Sequence, residues 1–116
     1  PLFHAPEVGG KLDFVSVHFY PKTDEIDKAL KALAVYDVGK PLVIEEIFPL
    51  KCSLPELRQF VSQSAKTVDG WIGFYWGRTI EDYRAEKPSV KSAWMQQWLE
   101  YFQTNVPAGN RSPRKQ

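Results

Sequence analysis

Two periodicities of apolar and polar residues alternate along this chain. Leu12-Asp13-Phe14-Val15-Ser16-Val17-His18-Phe19-Tyr20 is rich in β-branched and aromatic residues and closes at Pro21, which predicts a strand. Thr23 and Asp24 are helix N-cap types. Ile26, Ala29, Leu30, Leu33 and Tyr36 then recur at helical spacing, with Gly39 as the stop. After Lys40-Pro41, Leu42-Val43-Ile44-Glu45-Glu46-Ile47 reads as a short buried strand. Ser53 with Glu56 three positions later signals a capping box, and Leu57, Phe60, Val61, Ala65 and Val68 form the stripe of a second helix. Trp71-Ile72-Gly73-Phe74-Tyr75-Trp76 is the third strand. Gly77 to Pro88 reads as a polar loop. Ser89 then caps a third helix that buries Val90, Ala93, Trp94, Trp98, Tyr101 and Phe102.

Residues 1–11 are expected to be an irregular lead-in, residues 12–104 the folded body, and residues 105–116 a flexible tail rich in Pro, Gly, Asn, Arg and Lys. Strands near 12–20, 41–47 and 70–76, each followed by a helix, give a β-α-β-α-β-α order with strands roughly 30 residues apart. This predicts an α/β fold with a parallel sheet in sequential order. The alternation alone leaves open whether the sheet is an open doubly wound one or part of a closed barrel.

Composition narrows the partners. The formal charge is +1 with no basic stripe in the body, which argues against nucleic acid. No apolar run approaches the roughly 20 residues that span a bilayer, so no membrane is expected. One cysteine, Cys52, precludes an internal disulfide and fits a reducing compartment and a secreted protein alike. The two histidines are distant and no Cys/His pair has ligand spacing, so no metal is expected; nor is there a Gly-rich phosphate loop, and no cofactor is expected. Four Trp, five Tyr and seven Phe suit a well-filled core and carbohydrate-stacking surfaces equally.

Ligands of parallel α/β sheets sit at the carboxyl ends of the strands. Those ends carry His18-Phe19-Tyr20, Glu45-Glu46 and Tyr75-Trp76. Strict alternation puts Ser16, His18 and Tyr20 on one face, Leu42, Ile44 and Glu46 on another, and Ile72, Phe74 and Trp76 on a third. If all three look into one interior, a histidine, a tyrosine, a carboxylate and an indole converge at one rim, while Glu45 turns towards the helices. A carboxylate after an apolar strand is partly desolvated, and Tyr20 and His18 could orient it and keep it ionised, as a nucleophile requires. The competing reading of Glu46 is a structural ion pair. His18, Tyr20 and Trp76 taken singly read as core residues. Arg78, Glu81, Asp82 and Arg84 read first as a solvated loop.

Asp13 to Pro21, with its His18-x-Tyr20 pair, resembles the sixth strand of the large retaining (β/α)8-barrel clan that includes cellulases and β-mannanases. Lys40-Pro41-Leu42-Val43-Ile44-Glu45-Glu46 resembles that clan's seventh strand: Lys-Pro, three apolar residues, one variable residue, then the nucleophilic Glu. Gly70 to Gly77 is similar to the eighth, whose terminal Trp forms a sugar platform. The likeness spans roughly residues 12 to 102. It implies a partial (β/α)8 (TIM) barrel in which Glu46 is the nucleophile, Tyr20 bonds it, His18 lines the subsite and Trp76 stacks on the sugar. The implied substrate is an oligo- or polysaccharide of β-linked glucan or mannan type. Glu45 stands where the clan more often has Gly or Thr, and Ile47-Phe48-Pro49 replaces its common Phe-Gly pair. The clan's acid/base Glu lies on a fourth strand that no segment here matches. The chain opens at Pro1 and reaches its first strand near Leu12, so it reads as part of a longer protein. A barrel of about 250 residues would supply roughly five further βα units from the missing N-terminal sequence. The chain by itself is then expected to be inactive and prone to associate. The alternative expectation is a non-catalytic α/β module that binds a ligand or partner with the same rim.

Overall fold

The computed structural model describes residues 6–105. Residues 1–5 of the expected lead-in, including His4, and the tail beyond Asn105 lie outside the described residues, and the described part of the lead-in includes a short helix at Pro6–Gly9. The order is α1 (Pro6–Gly9), β1 (Val15–His18), α2 (Ile26–Ala34), β2 (Leu42–Ile47), α3 (Leu54–Ser64), β3 (Gly70–Gly73), α4 (Ile80–Ala85) and α5 (Val90–Thr104). The chain forms two compact units, residues 1–74 and residues 75–116.

The first unit is a three-stranded parallel sheet in the order β1-β2-β3, as the strand-helix alternation predicts. The regular strands are shorter than their apolar runs, but the ladder continues past them: Phe19 N–H donates to the Glu46 carbonyl (3.0 Å) and Phe74 N–H to that of Ile47 (2.9 Å). Asp69 fixes the entry into β3, its N–H donating to the Leu42 carbonyl (2.7 Å) while its carboxylate accepts from Leu42 N–H (2.9 Å).

One face of the sheet is covered. Val15 and Val17 are buried, and Leu42, Ile44 and Ile47 are wholly so, as are Leu33 of α2 and Leu57 and Phe60 of α3 within small margins. Phe19 stacks on Phe60 with ring centroids 5.4 Å apart. Trp71 donates its indole N–H to Ser64 (3.2 Å), which in turn donates to the Val61 carbonyl (3.1 Å). Ser64 therefore takes the buried position expected for Ala65, which is exposed, because both polar groups at that contact are satisfied. On the opposite face Ile72 and Phe74 remain 57% and 54% exposed.

This corrects the simple parity reading. Val15 pairs with Leu42 and Val17 with Ile44, so Leu42 and Ile44 share the helix-covered face, not the face of His18. The next pair is His18 with Glu46: one step along β1 against two along β2. On the other side Ile44 pairs with Trp71 and Ile47 with Gly73, two steps against three. Both neighbours thus see one extra residue in β2 between Ile44 and Ile47, a β-bulge of a kind uncommon between parallel strands. Beyond it, Glu46 emerges on the face of His18 while Ile47 returns to the core.

The helix starts divide into those the local sequence sets and those it does not. Ser53 and Glu56 form the expected capping box at α3. Thr23 and Asp24 do not cap α2. Glu25 precedes that helix without a side-chain cap, and Asp24 adopts φ 59°. Both are held instead by Glu56, which accepts from Thr23 Oγ1 (3.1 Å) and Asp24 N–H (2.9 Å) besides Ser53 N–H (2.7 Å). A carboxylate that gathers this many donors is worth more than a local Asx or Thr cap, so the distant partner wins. Helix α2 ends at Ala34, and Gly39 (φ 78°) serves the turn before β2 rather than the helix end.

In the second unit the expected loop between Gly77 and Pro88 contains α4, which opens on a Thr79/Asp82 capping box. Ser89 caps α5 as expected, but the buried positions are Ser92, Met95, Trp98 and Tyr101. Val90, Ala93 and Trp94 are exposed. Arg78 pairs with Glu86, lies 5.2 Å over the Tyr83 ring and donates to the Asp82 carbonyl. Arg84 pairs with Glu100 at 2.7 Å.

Candidate functional site

Three of the four residues singled out from sequence meet at the carboxyl end of the first unit's sheet. Tyr20 lies just past β1 and donates its phenolic O–H to Glu46 Oε1. His18 ends β1, and its Nδ1 lies 3.2 Å from Glu46 Oε2. Both carboxylate oxygens of Glu46 are thus engaged, by residues spaced i and i+2 on the neighbouring strand. Phe19, between them, points the other way into the core against Phe60. The His-x-Tyr spacing is therefore what two donors on one face of a strand require.

The Glu46 side chain is 20% exposed. Burial, the hydrogen bond to Glu46 and the negative charge of Glu46, in that order, push the Tyr20 phenol up to about 12. Tyr20 keeps its proton at any physiological pH and acts as the donor in this contact.

Glu45 departs from expectation. Extrapolated parity turned it towards the helices. The bulge instead leaves it beside Glu46, half-exposed, with Oε1 3.2 Å from His18 Nε2. Adjacent carboxylates therefore face the two nitrogens of one imidazole. A doubly protonated ring donates to both; a neutral ring has one N–H to give. Strand alternation could not show this contact, because it depends on the bulge.

Trp76 falls in the second unit, where its indole is 97% exposed. The His18–Tyr20–Glu46 constellation belongs wholly to the first. Next to Trp76 in sequence, the Tyr75 hydroxyl bonds that of Tyr83 (2.9 Å). Burial and this contact raise the Tyr75 phenol. Asp82 is committed to Thr79, whose N–H and hydroxyl hold its carboxyl below the usual range.

Two other features lie apart from this chemistry. A shallow groove of about 640 Å³, lined by Asp24, Glu25, Asp27, Lys28, Lys31 and Glu56 among others, includes none of the site residues. Cys52 is buried, and its thiol is pushed up to about 11 by burial and the nearby Glu56 charge, which makes it a poor nucleophile. Among the described residues no cluster of His, Cys, Asp or Glu is arranged to hold a metal ion, and no helix is long and apolar enough to cross a membrane.

The arrangement presents one oriented, partly desolvated carboxylate, gripped at both oxygens, at the end of a parallel sheet. Such a group can attack an electrophilic carbon or take up a proton. In comparisons with protein-family models, curated proteins and solved structures, the chain matches none.

Proposed function

We infer that this chain forms three consecutive βα units of a retaining (β/α)8-barrel glycoside hydrolase, with Glu46 as nucleophile. The observation that carries the reading is the double engagement of Glu46 by Tyr20 and His18 at the carboxyl end of β2. A structural ion pair would match Glu46 with a lysine or arginine. Here its partners are a phenol and an imidazole, which orient a carboxylate without a fixed countercharge. The sequential parallel order suits a barrel segment, and so does the uncovered face bearing Ile72, Phe74, His18 and Glu46.

In this reading the anionic Glu46 attacks the anomeric carbon of a β-linked glucan or mannan. The C–O bond to the leaving sugar breaks, and a glycosyl ester forms on Glu46. A second carboxyl group, about 5 Å away on another βα unit, protonates the departing oxygen and then activates the water that cleaves the ester. Tyr20 releases its hold on Oε1 as that oxygen loses charge, and regains it on hydrolysis. Trp76 supplies an apolar face for a sugar ring. In this reading another βα unit supplies that second carboxyl, so the 116-residue chain by itself is expected to turn over no substrate. In the complete barrel, Glu46→Gln lowers kcat on aryl β-glycosides by several orders of magnitude, on the order of 10³ or more, with the fold intact. Retained turnover in that variant would favour a ligand-binding role for the rim.

A further inference from the structure

The imidazole of His18 is held at both nitrogens by residues adjacent in sequence. Nδ1 faces Glu46 and Nε2 faces Glu45, each at 3.2 Å. In an unbroken strand, residues 45 and 46 would project to opposite faces and could not grip one ring. The bulge between Ile44 and Ile47 brings them together.

This grip constrains the ring. His18 is more than half exposed, so little packing fixes its torsions. With only Glu46 as partner, the imidazole could swing away or flip about its Cβ–Cγ bond, presenting carbon to the carboxylate. With Glu45 on the far nitrogen, a flip sets carbon against both carboxylates and a swing breaks both contacts at once. The orientation that satisfies Glu45 is the one that aims Nδ1 at Glu46 Oε2. Tyr20 already holds Oε1, so the plane of the Glu46 carboxylate is defined at two points.

We propose that Glu45 is a positioning residue: it locks His18 so that Nδ1 fixes the second oxygen of Glu46, and it acts on Glu46 only through that ring. Calling Glu46 a nucleophile rests on the proposed function; the positioning itself is a matter of geometry and is tested without any substrate.

The test is NMR of the 116-residue chain, reading the His18 ring nitrogens and the Glu46 carboxyl carbon at one fixed pH, chosen so that both ring nitrogens of His18 are protonated and each can donate to its carboxylate. The His18→Ala spectrum assigns the ring signals against His4. Glu45→Ala is expected to move both the His18 ring nitrogens and the Glu46 carboxyl resonance, the latter in the same direction as His18→Ala moves it. The double variant should move Glu46 no further than His18→Ala alone, the signature of two residues acting in series. Glu45→Gln, which keeps an acceptor oxygen for Nε2, should restore most of the shift. Unchanged amide signals from Leu42, Ile44 and Ile47 certify the strand. If Glu45→Ala disturbs them, Glu45→Asp, one methylene too short to reach Nε2, replaces it against Glu45→Gln. A Glu46 resonance that ignores Glu45→Ala, or that shifts additively in the double variant, overturns the proposal. Failure of Glu46→Gln to abolish turnover would sink the glycosidase reading and leave these shifts as expected, so the two claims fail separately.

Discussion

Replacing Ile44 with alanine asks which face of the sheet the helices cover, and so whether Glu46 reaches the open face by a bulge. Ile44 is wholly buried, between β1 and β3 and beneath the helices. Truncating an isoleucine at such a site removes its transfer free energy and leaves a cavity, a cost of about 2–5 kcal/mol. Ile72 lies on the uncovered face at 57% exposure. Full burial of such a side chain is worth roughly 1.5–3 kcal/mol, so Ile72→Ala forfeits less than half of that, about 1 kcal/mol, and leaves no cavity. Urea unfolding followed by far-ultraviolet circular dichroism separates the two. At a slope of about 2 kcal/mol/M, Ile44→Ala lowers the midpoint by about 1–2.5 M and Ile72→Ala by about 0.5 M. Equal shifts, or a larger one for Ile72→Ala, would mean that Ile44 shares the open face. The bulge and the exit of Glu46 beside His18 would then both be wrong.

Two further predictions concern the loops. Hydrogen bonds from Ser53, Asp24 and Thr23 hold the Glu56 carboxyl down to about 2, against an ordinary value of 4.5. A depressed folded value means that the unfolded chain binds the proton more readily. The stabilisation from Glu56 is therefore complete above about 4.5 and lost as pH falls from there towards about 2. Thermal melts of Glu56→Gln should fall less steeply over that range than those of the parent chain, and parallel curves would refute the assignment. At Gly77, an added Cβ would sit 2.5 Å from the Tyr75 hydroxyl oxygen and 2.7 Å from its Cζ. The ring must move and the Tyr75–Tyr83 bond is lost, so Gly77→Ala should cost about 1 kcal/mol in chemical unfolding. It should add nothing in a Tyr75→Phe background that already lacks the bond.

The strand-helix order, the parallel sheet and the Ser53 and Ser89 caps were legible because each depends on a few residues close in sequence. What escaped depends on partners far along the chain. Thr23 and Asp24 look like caps, yet their donors go to Glu56, some thirty positions on. Thr79 and Asp82 carry the same cap signature as Ser53 and Glu56. Their helix was hidden because α4 offers only Ile80 and Tyr83 as buried residues, too few to register as periodic. In α5 the buried set steps by three from Ser92 to Tyr101, and the serine that leads it has no hydrophobic signal. The site itself was half visible. The His-x-Tyr pair and a carboxylate at the strand end pointed to residues that do meet there, but the face was assigned by a parity that the bulge breaks. Its trace was present in the apolar spacing, two residues from Leu42 to Ile44 and then three to Ile47. Glu45 was set aside on that same parity, and its contact with His18 became evident only once the register was known.

The central claim is that Glu46, held by Tyr20 and His18, forms a covalent bond to a sugar. The measurement that meets it most directly is peptide mapping of the complete barrel after reaction with a 2-deoxy-2-fluoro-β-glycosyl fluoride, which traps the glycosyl ester of a retaining enzyme. The account predicts one added fluoroglycosyl mass, on the peptide that contains Leu42 to Ile47, with fragmentation placing it on Glu46. A label on Glu45, on another unit of the barrel, or on no residue at all would contradict it.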